Sequence, residues 1–126
     1  SHQIEMELSG MFGVAHGAGL AAVWGSWARY VLDEKPERFA RLAHNVCGVA
    51  DSGDARADAL QGIENMEDFF RSIHMPTNIR ELGIDPLTEE QIEELAEKCT
   101  YFGQRTIGRF KVLQKEDIKA IYRMAR

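Results

Sequence analysis

The stretch Leu20-Ala21-Ala22-Val23-Trp24-Gly25-Ser26-Trp27-Ala28-Arg29-Tyr30-Val31 decides the fold class. Leu20, Val23, Trp24, Trp27 and Val31 fall at i, i+3, i+4, i+7 and i+11, the spacing of one face of an α-helix. A strand would alternate apolar and polar residues, and no such alternation persists anywhere in the chain. Two tryptophans on such a stripe read as core before they read as interface.

The same period extends outward in both directions. Ile4, Leu8, Met11 and Phe12 mark a helix before this one. Pro36 suits the first turn of a third, with Phe39, Leu42, Ala43, Val46 and Cys47 on one face and Gly48 as a stop. Asp51-Ser52-Gly53-Asp54 is a turn with several N-caps. A fourth helix follows, with Leu60, Ile63, Met66, Phe70 and Ile73 inward, and Pro76 ends it. Met75 to Leu87 holds Pro76, Gly83 and Pro86, so it reads as a loop with one short turn. Thr88-Glu89-Glu90-Gln91 fits a capping box ahead of Ile92, Leu95, Ala96 and Cys99. Thr100 to Leu113 keeps no period. A last helix runs from about Glu116 with Ile118, Ile121, Tyr122 and Ala125 inward, behind Gln114, a weak N-cap. The expected architecture is one all-α domain spanning 1–126, a helical bundle of about six helices.

Composition narrows the function. With 126 residues and 44% hydrophobic content the chain can bury a core without disulfide or metal staples. A net charge of -5 argues against nonspecific nucleic-acid binding, which needs basic surface to displace counterions. The longest apolar run, Gly17 to Gly25, is too short to span a bilayer. Cys47 and Cys99 lie far apart with no C-x-x-C, so two reduced, buried thiols and a cytoplasmic location are expected. The chain begins Ser1-His2 without an initiator Met, which reads as a segment that starts in the middle of something.

Candidate chemistry is sparse. Gly17-x-Gly19-x-x-Ala22 satisfies a loosened dinucleotide fingerprint, but no strand precedes it. Its small residues read instead as a place where one helix approaches another closely. There is no G-x-S-x-G elbow and no H-E-x-x-H helix. His44, beside the third helix's stripe, reads as a partly buried or surface histidine. His74, near a helix C-terminus, reads as a partner of the helix dipole. His2 and His16 would stand about 21 Å apart on one straight helix, whereas two ligands of one metal lie within a few ångströms. A shared metal therefore requires the chain to reverse between them, which Gly10, Gly13 and Gly17 permit.

The run Ser1-His2-Gln3-Ile4-Glu5-Met6-Glu7-Leu8-Ser9-Gly10-Met11-Phe12-Gly13-Val14-Ala15-His16-Gly17-Ala18-Gly19-Leu20-Ala21 resembles the metal-binding signature of the iron-containing (group III) alcohol dehydrogenases, most closely the NADH-dependent butanol dehydrogenase branch. The similarity continues through Trp24 to Tyr30. It resumes at Phe69 to Pro76, Arg80 to Ile84, Thr106 to Gly108 and Lys115 to Ile118. The resemblance implies a truncated, dehydroquinate synthase-like C-terminal helical domain. It also implies an iron or zinc ion held by one Asp and three His, the last two matching His2 and His16. The other two ligands belong to an upstream Asp-x-x-x-His helix that this chain lacks, as it lacks the glycine-rich loops for NAD(P).

Two residues depart from the signature. Met6 stands where the family places a further His, and Met6 cannot relay a proton. Gly13 stands where the family places Asp, which removes a carboxylate and is expected to loosen the backbone near His16. The chain is thus expected to be a fragment of a metal-dependent, NAD(P)-linked alcohol dehydrogenase, inactive alone. It would have Fe²⁺ or Zn²⁺ at an incomplete site, no catalytic residue of its own and no NAD(P) bound. The alternative is a non-catalytic, self-associating helical module without metal, and a variant completes a four-His centre across a dimer. Expected partners are a second copy, covering Met6, Met11, Phe12, Trp24 and Trp27, or the missing N-terminal nucleotide-binding domain.

Overall fold

The computed structural model describes residues 1–126. Six α-helices follow one another: α1 (His2–Phe12), α2 (His16–Val31), α3 (Pro36–Asn45), α4 (Ala55–Ser72), α5 (Glu89–Cys99) and α6 (Lys115–Ala125). Single 3₁₀ turns occupy Leu32–Glu34 and Arg80–Leu82. The all-α expectation holds, and an isolated antiparallel bridge between Ile107 and Leu113 is the extent of β-structure. No helix is long and apolar enough to cross a membrane.

Local chemistry sets the helix ends. Pro36 occupies the first turn of α3. Asp54 caps α4 by accepting from the Ala57 amide at 3.1 Å. Thr88 and Gln91 form the full capping box of α5. Gln114 is helped by Asp117, which accepts the Gln114 amide proton at 2.8 Å. The α4 terminus departs from expectation. The helix stops at Ser72, His74 takes a left-handed φ of 63°, and Ile73 ends up 51% exposed rather than inward. His74 donates its amide to Arg71 and Met75 donates to Phe70, the paired bonds that close a helix C-terminus. His74 therefore serves the terminus through its backbone.

Thr100 to Leu113, which has no sequence period, is a chain of tight turns. Tyr101, Phe102 and Gly103 are consecutively left-handed. Gly108 also has positive φ, and a Cβ there would lie 2.5 Å from the Lys111 carbonyl oxygen. These turns bring Ile107 and Leu113 together, both buried.

The core is one cluster of 21 buried residues. Ile4 and Leu8 of α1, Val23, Ala28 and Val31 of α2, and Ile118, Ile121 and Tyr122 of α6 all belong to it. Trp24 and Trp27 are half-buried against it. Trp27 stacks edge-on against Phe39 and Phe110, and Trp24 against Phe70. Cys99 is buried and Cys47 only half-buried, and both are free thiols. Burial pushes the Cys99 thiol up to about 11. The expected close approach along the small residues of α2 is found at Gly19, where an added Cβ would meet the Glu5 side chain of α1, and a second lies between α3 and α4. At Gly62 of α4 an added Cβ would come within 2.5 Å of the Ala43 Cβ of α3, whereas at Gly17 it would meet nothing.

Candidate metal centre

Between α1 and α2 the chain reverses in three residues. Gly13 ends α1 in a left-handed conformation, φ 67°, and its amide bonds the Ser9 carbonyl at 2.9 Å. Ala15 then enters α2 in extended geometry. Gly13 thus makes the turn rather than loosening it, since glycine takes this conformation without a Cβ penalty.

The reversal places His2 and His16 at the first positions of neighbouring helices, α1 and α2. Their ring centroids are 5.6 Å apart, with planes inclined at 55°. The structure therefore brings together the two residues singled out by the sequence. Met6, one turn beyond His2, is 60% exposed.

A third residue joins them that the sequence reading passed over. Glu5 is fully buried, and its Oε2 is paired with His16 Nδ1. Its Oε1 accepts from the Ser9 hydroxyl, for which the Val14 carbonyl, 3.1 Å away, is the alternative acceptor. The carboxylate lies under the first turn of α2, which carries no acid of its own and whose positive dipole end favours a nearby anion. It fits there because residue 19 has no side chain. A Cβ on Gly19 would sit 2.4 Å from Glu5 Oε1. A buried carboxylate is tolerated only when paired and hydrogen-bonded, and both oxygens have partners here. No other protein group bonds the His16 ring, whose side chain is 54% exposed. Beside His2 opens an apolar cleft of about 250 Å³, lined in part by Leu20, Ala21, Trp24, Phe70 and Ile73.

A second histidine–carboxylate cluster has a different character. His44 is half-buried, with Nε2 2.8 Å from Asp58 Oδ2. The Ser52 amide also bonds that oxygen, and the Ser52 hydroxyl bonds Oδ1. These donors, Ser52 first and then His44, hold the Asp58 carboxyl down at about 2. Asp51 stands nearby but accepts from the Gly53 amide. Both Asp58 oxygens are engaged, by Ser52 and His44, so the cluster is a clasp fastening the turn before α4 to α3.

A family model for the C-terminal region of Fe-containing alcohol dehydrogenases matches residues 1–126. The chain belongs to the Fe-containing alcohol dehydrogenase family. Among its relatives, the probable NADH-dependent butanol dehydrogenase 1 of Bacillus subtilis is 34% identical over 96% of this chain and 30% of its own length. NADH-dependent butanol dehydrogenase A of Clostridium acetobutylicum is 30% identical over 97% of this chain and 31% of its own. The crystal structure of NADH-dependent butanol dehydrogenase A from Thermotoga maritima superposes with a TM-score of 0.87 at 30% identity, covering 98% of this chain and 32% of that one. The chain thus spans about a third of the length of the family members it matches.

Proposed function

We propose that this chain forms the C-terminal helical part of a metal-dependent, NAD(P)-linked alcohol dehydrogenase. Within it, His2 and His16 would be two of four ligands to Fe²⁺ or Zn²⁺. The observation that carries the reading is the 5.6 Å pairing of the two rings at adjacent helix starts.

The donor set fits such an ion in kind. Imidazole nitrogen suits both iron and zinc, and the His16 ring is held on one edge by Glu5. It is half of a set, so the remaining Asp and His come from upstream residues of the whole protein. The residues present do not fit NAD(P). A pyrophosphate cradle needs a strand, a glycine-rich turn and a helix N-terminus in succession, and Gly17 to Ala22 lies inside α2 with no strand before it.

A divalent ion bound there supplies Lewis-acid polarisation of the alcohol or aldehyde oxygen. This chain's residues orient the two imidazoles, and the apolar cleft beside His2 receives the carbon chain of a small alcohol. Met6 offers no proton-transfer group at its position. On this reading the isolated chain does not turn over, because nothing in it orients a nicotinamide.

Met6, Tyr101 and Phe102 leave large apolar surface exposed. We assign its cover to the N-terminal nucleotide-binding domain, with a homodimer as the form taken by the isolated chain. The free thiols support a cytoplasmic setting.

The test is a Zn²⁺ and Fe²⁺ titration of the chain followed by its thermal midpoint. A metal that binds the folded state raises the midpoint, and His2→Ala or His16→Ala removes the rise. No rise in the wild-type chain, or an undiminished rise in both variants, overturns the assignment. An aldehyde-reduction assay with NADH or NADPH is expected to show only background.

A further inference from the structure

We propose that Glu5 is the positioning residue of this centre, its buried carboxylate holding the Nδ1 edge of His16 so that Nε2 is the ring's donor to a divalent cation. The inference rests on the metal reading above and adds to it the group that sets the ring's proton and angle.

Three observations support it. First, Glu5 is fully buried, yet it is a carboxylate, and its partners are the Ser9 hydroxyl and His16 Nδ1. An ionised acid in that position accepts from both, so Nδ1 carries the ring proton and the lone pair falls on Nε2. A free neutral imidazole prefers the opposite tautomer, with its proton on Nε2 and no donor there for a metal. Second, the carboxylate is held before any metal arrives. Ser9 comes from one turn further along α1, and the α2 backbone at Gly19 closes over Oε1. Third, the other edge of the His16 ring has no protein hydrogen-bond partner, its side chain is half-exposed, and the ring stands 5.6 Å from that of His2. A carboxylate behind a ligating imidazole fixes its orientation and raises its basicity.

A purely structural strut between α1 and α2 would also keep the proton on Nδ1, but it would not depend on how the ring binds metal. Two measurements on the 126-residue chain test the proposal, the first its premise and the second the role in metal binding. In the metal-free chain, long-range ¹H–¹⁵N spectra report the His16 tautomer. The proton is expected on Nδ1 in the wild type and shifted towards Nε2 in Glu5→Ala. Calorimetric titration with Zn²⁺ is expected to show affinity about tenfold or more weaker in Glu5→Gln, with Glu5→Asp recovering part of the loss. Circular dichroism establishes that each variant is folded, and the wild-type tautomer needs no variant at all.

A wild-type His16 protonated on Nε2 overturns the proposal. So does a Glu5→Gln chain that binds Zn²⁺ as the wild type does while His16→Ala does not, and in that case the metal reading survives. A wild-type chain that takes up no Zn²⁺ overturns the metal reading and leaves Glu5 as a strut.

Discussion

Tyr122 donates its hydroxyl to the carbonyl oxygen of Ile4 at 2.6 Å, joining the last helix to the first across 118 residues of sequence. Both residues are fully buried, and burial holds the phenol well above its ordinary pKa. The bond fastens α1, and with it His2 and Glu5, to the core. Tyr122→Phe keeps the ring and removes the donor. It is expected to lower stability by about 1 kcal/mol, read from urea denaturation. Unchanged stability would show that the bond is dispensable.

Gly62 and Ala43 meet at the α3–α4 contact with no room for another methyl group. Gly62→Ala should destabilise the chain by about 1–3 kcal/mol through overpacking, despite alanine's better helix propensity. Adding Ala43→Gly should return part of that loss. If the single substitution is stabilising instead, propensity outweighs packing here.

His74 occupies the left-handed position after α4, where a Cβ is unfavourable. His74→Gly is expected to raise stability by about 1 kcal/mol. A loss would assign the imidazole a contact that outweighs the backbone relief.

Asp58 gives the fold an acid-sensitive clasp. Its carboxyl sits at about 2 in the folded chain against an ordinary value of 3.8, so the folded state favours the ionised form. The resulting stabilisation is full above the unfolded value and is lost as pH falls from about 4 towards 2. Asp58→Asn should lower stability at neutral pH and flatten its decline across that window. Thermal midpoints measured through the range decide it, and an unchanged slope would remove Asp58 from the acid response.

Much of the fold was legible because helical spacing and capping residues agree locally. The Leu20-to-Val31 stripe, Pro36, Asp54 and the Thr88–Gln91 pair all form what they signal. Thr100 to Leu113 was not legible. Its path depends on left-handed Tyr101 and Phe102, residue types that announce no such turn. Thr100 instead anchors the turn by accepting from the Gly103 amide. Ile73 kept its period but lost its helix, because the terminus closes one residue earlier. At the site, His2 and His16 could be paired from spacing and the glycines between them. Glu5 could not be found by tracking apolar residues, although it lies beside Ile4 and one turn before Leu8 on the buried face of α1. A charged side chain on that face was the available signal.

The fit between Glu5 and Gly19 has a consequence for the history of the family. A long acidic chain at one position requires a bare backbone at the other, so neither can drift freely on its own. Lineages that gave up the acid are released to place a larger residue where the glycine stands. A survey of homologous chains should therefore find these two sites changing in concert, as a single inherited trait.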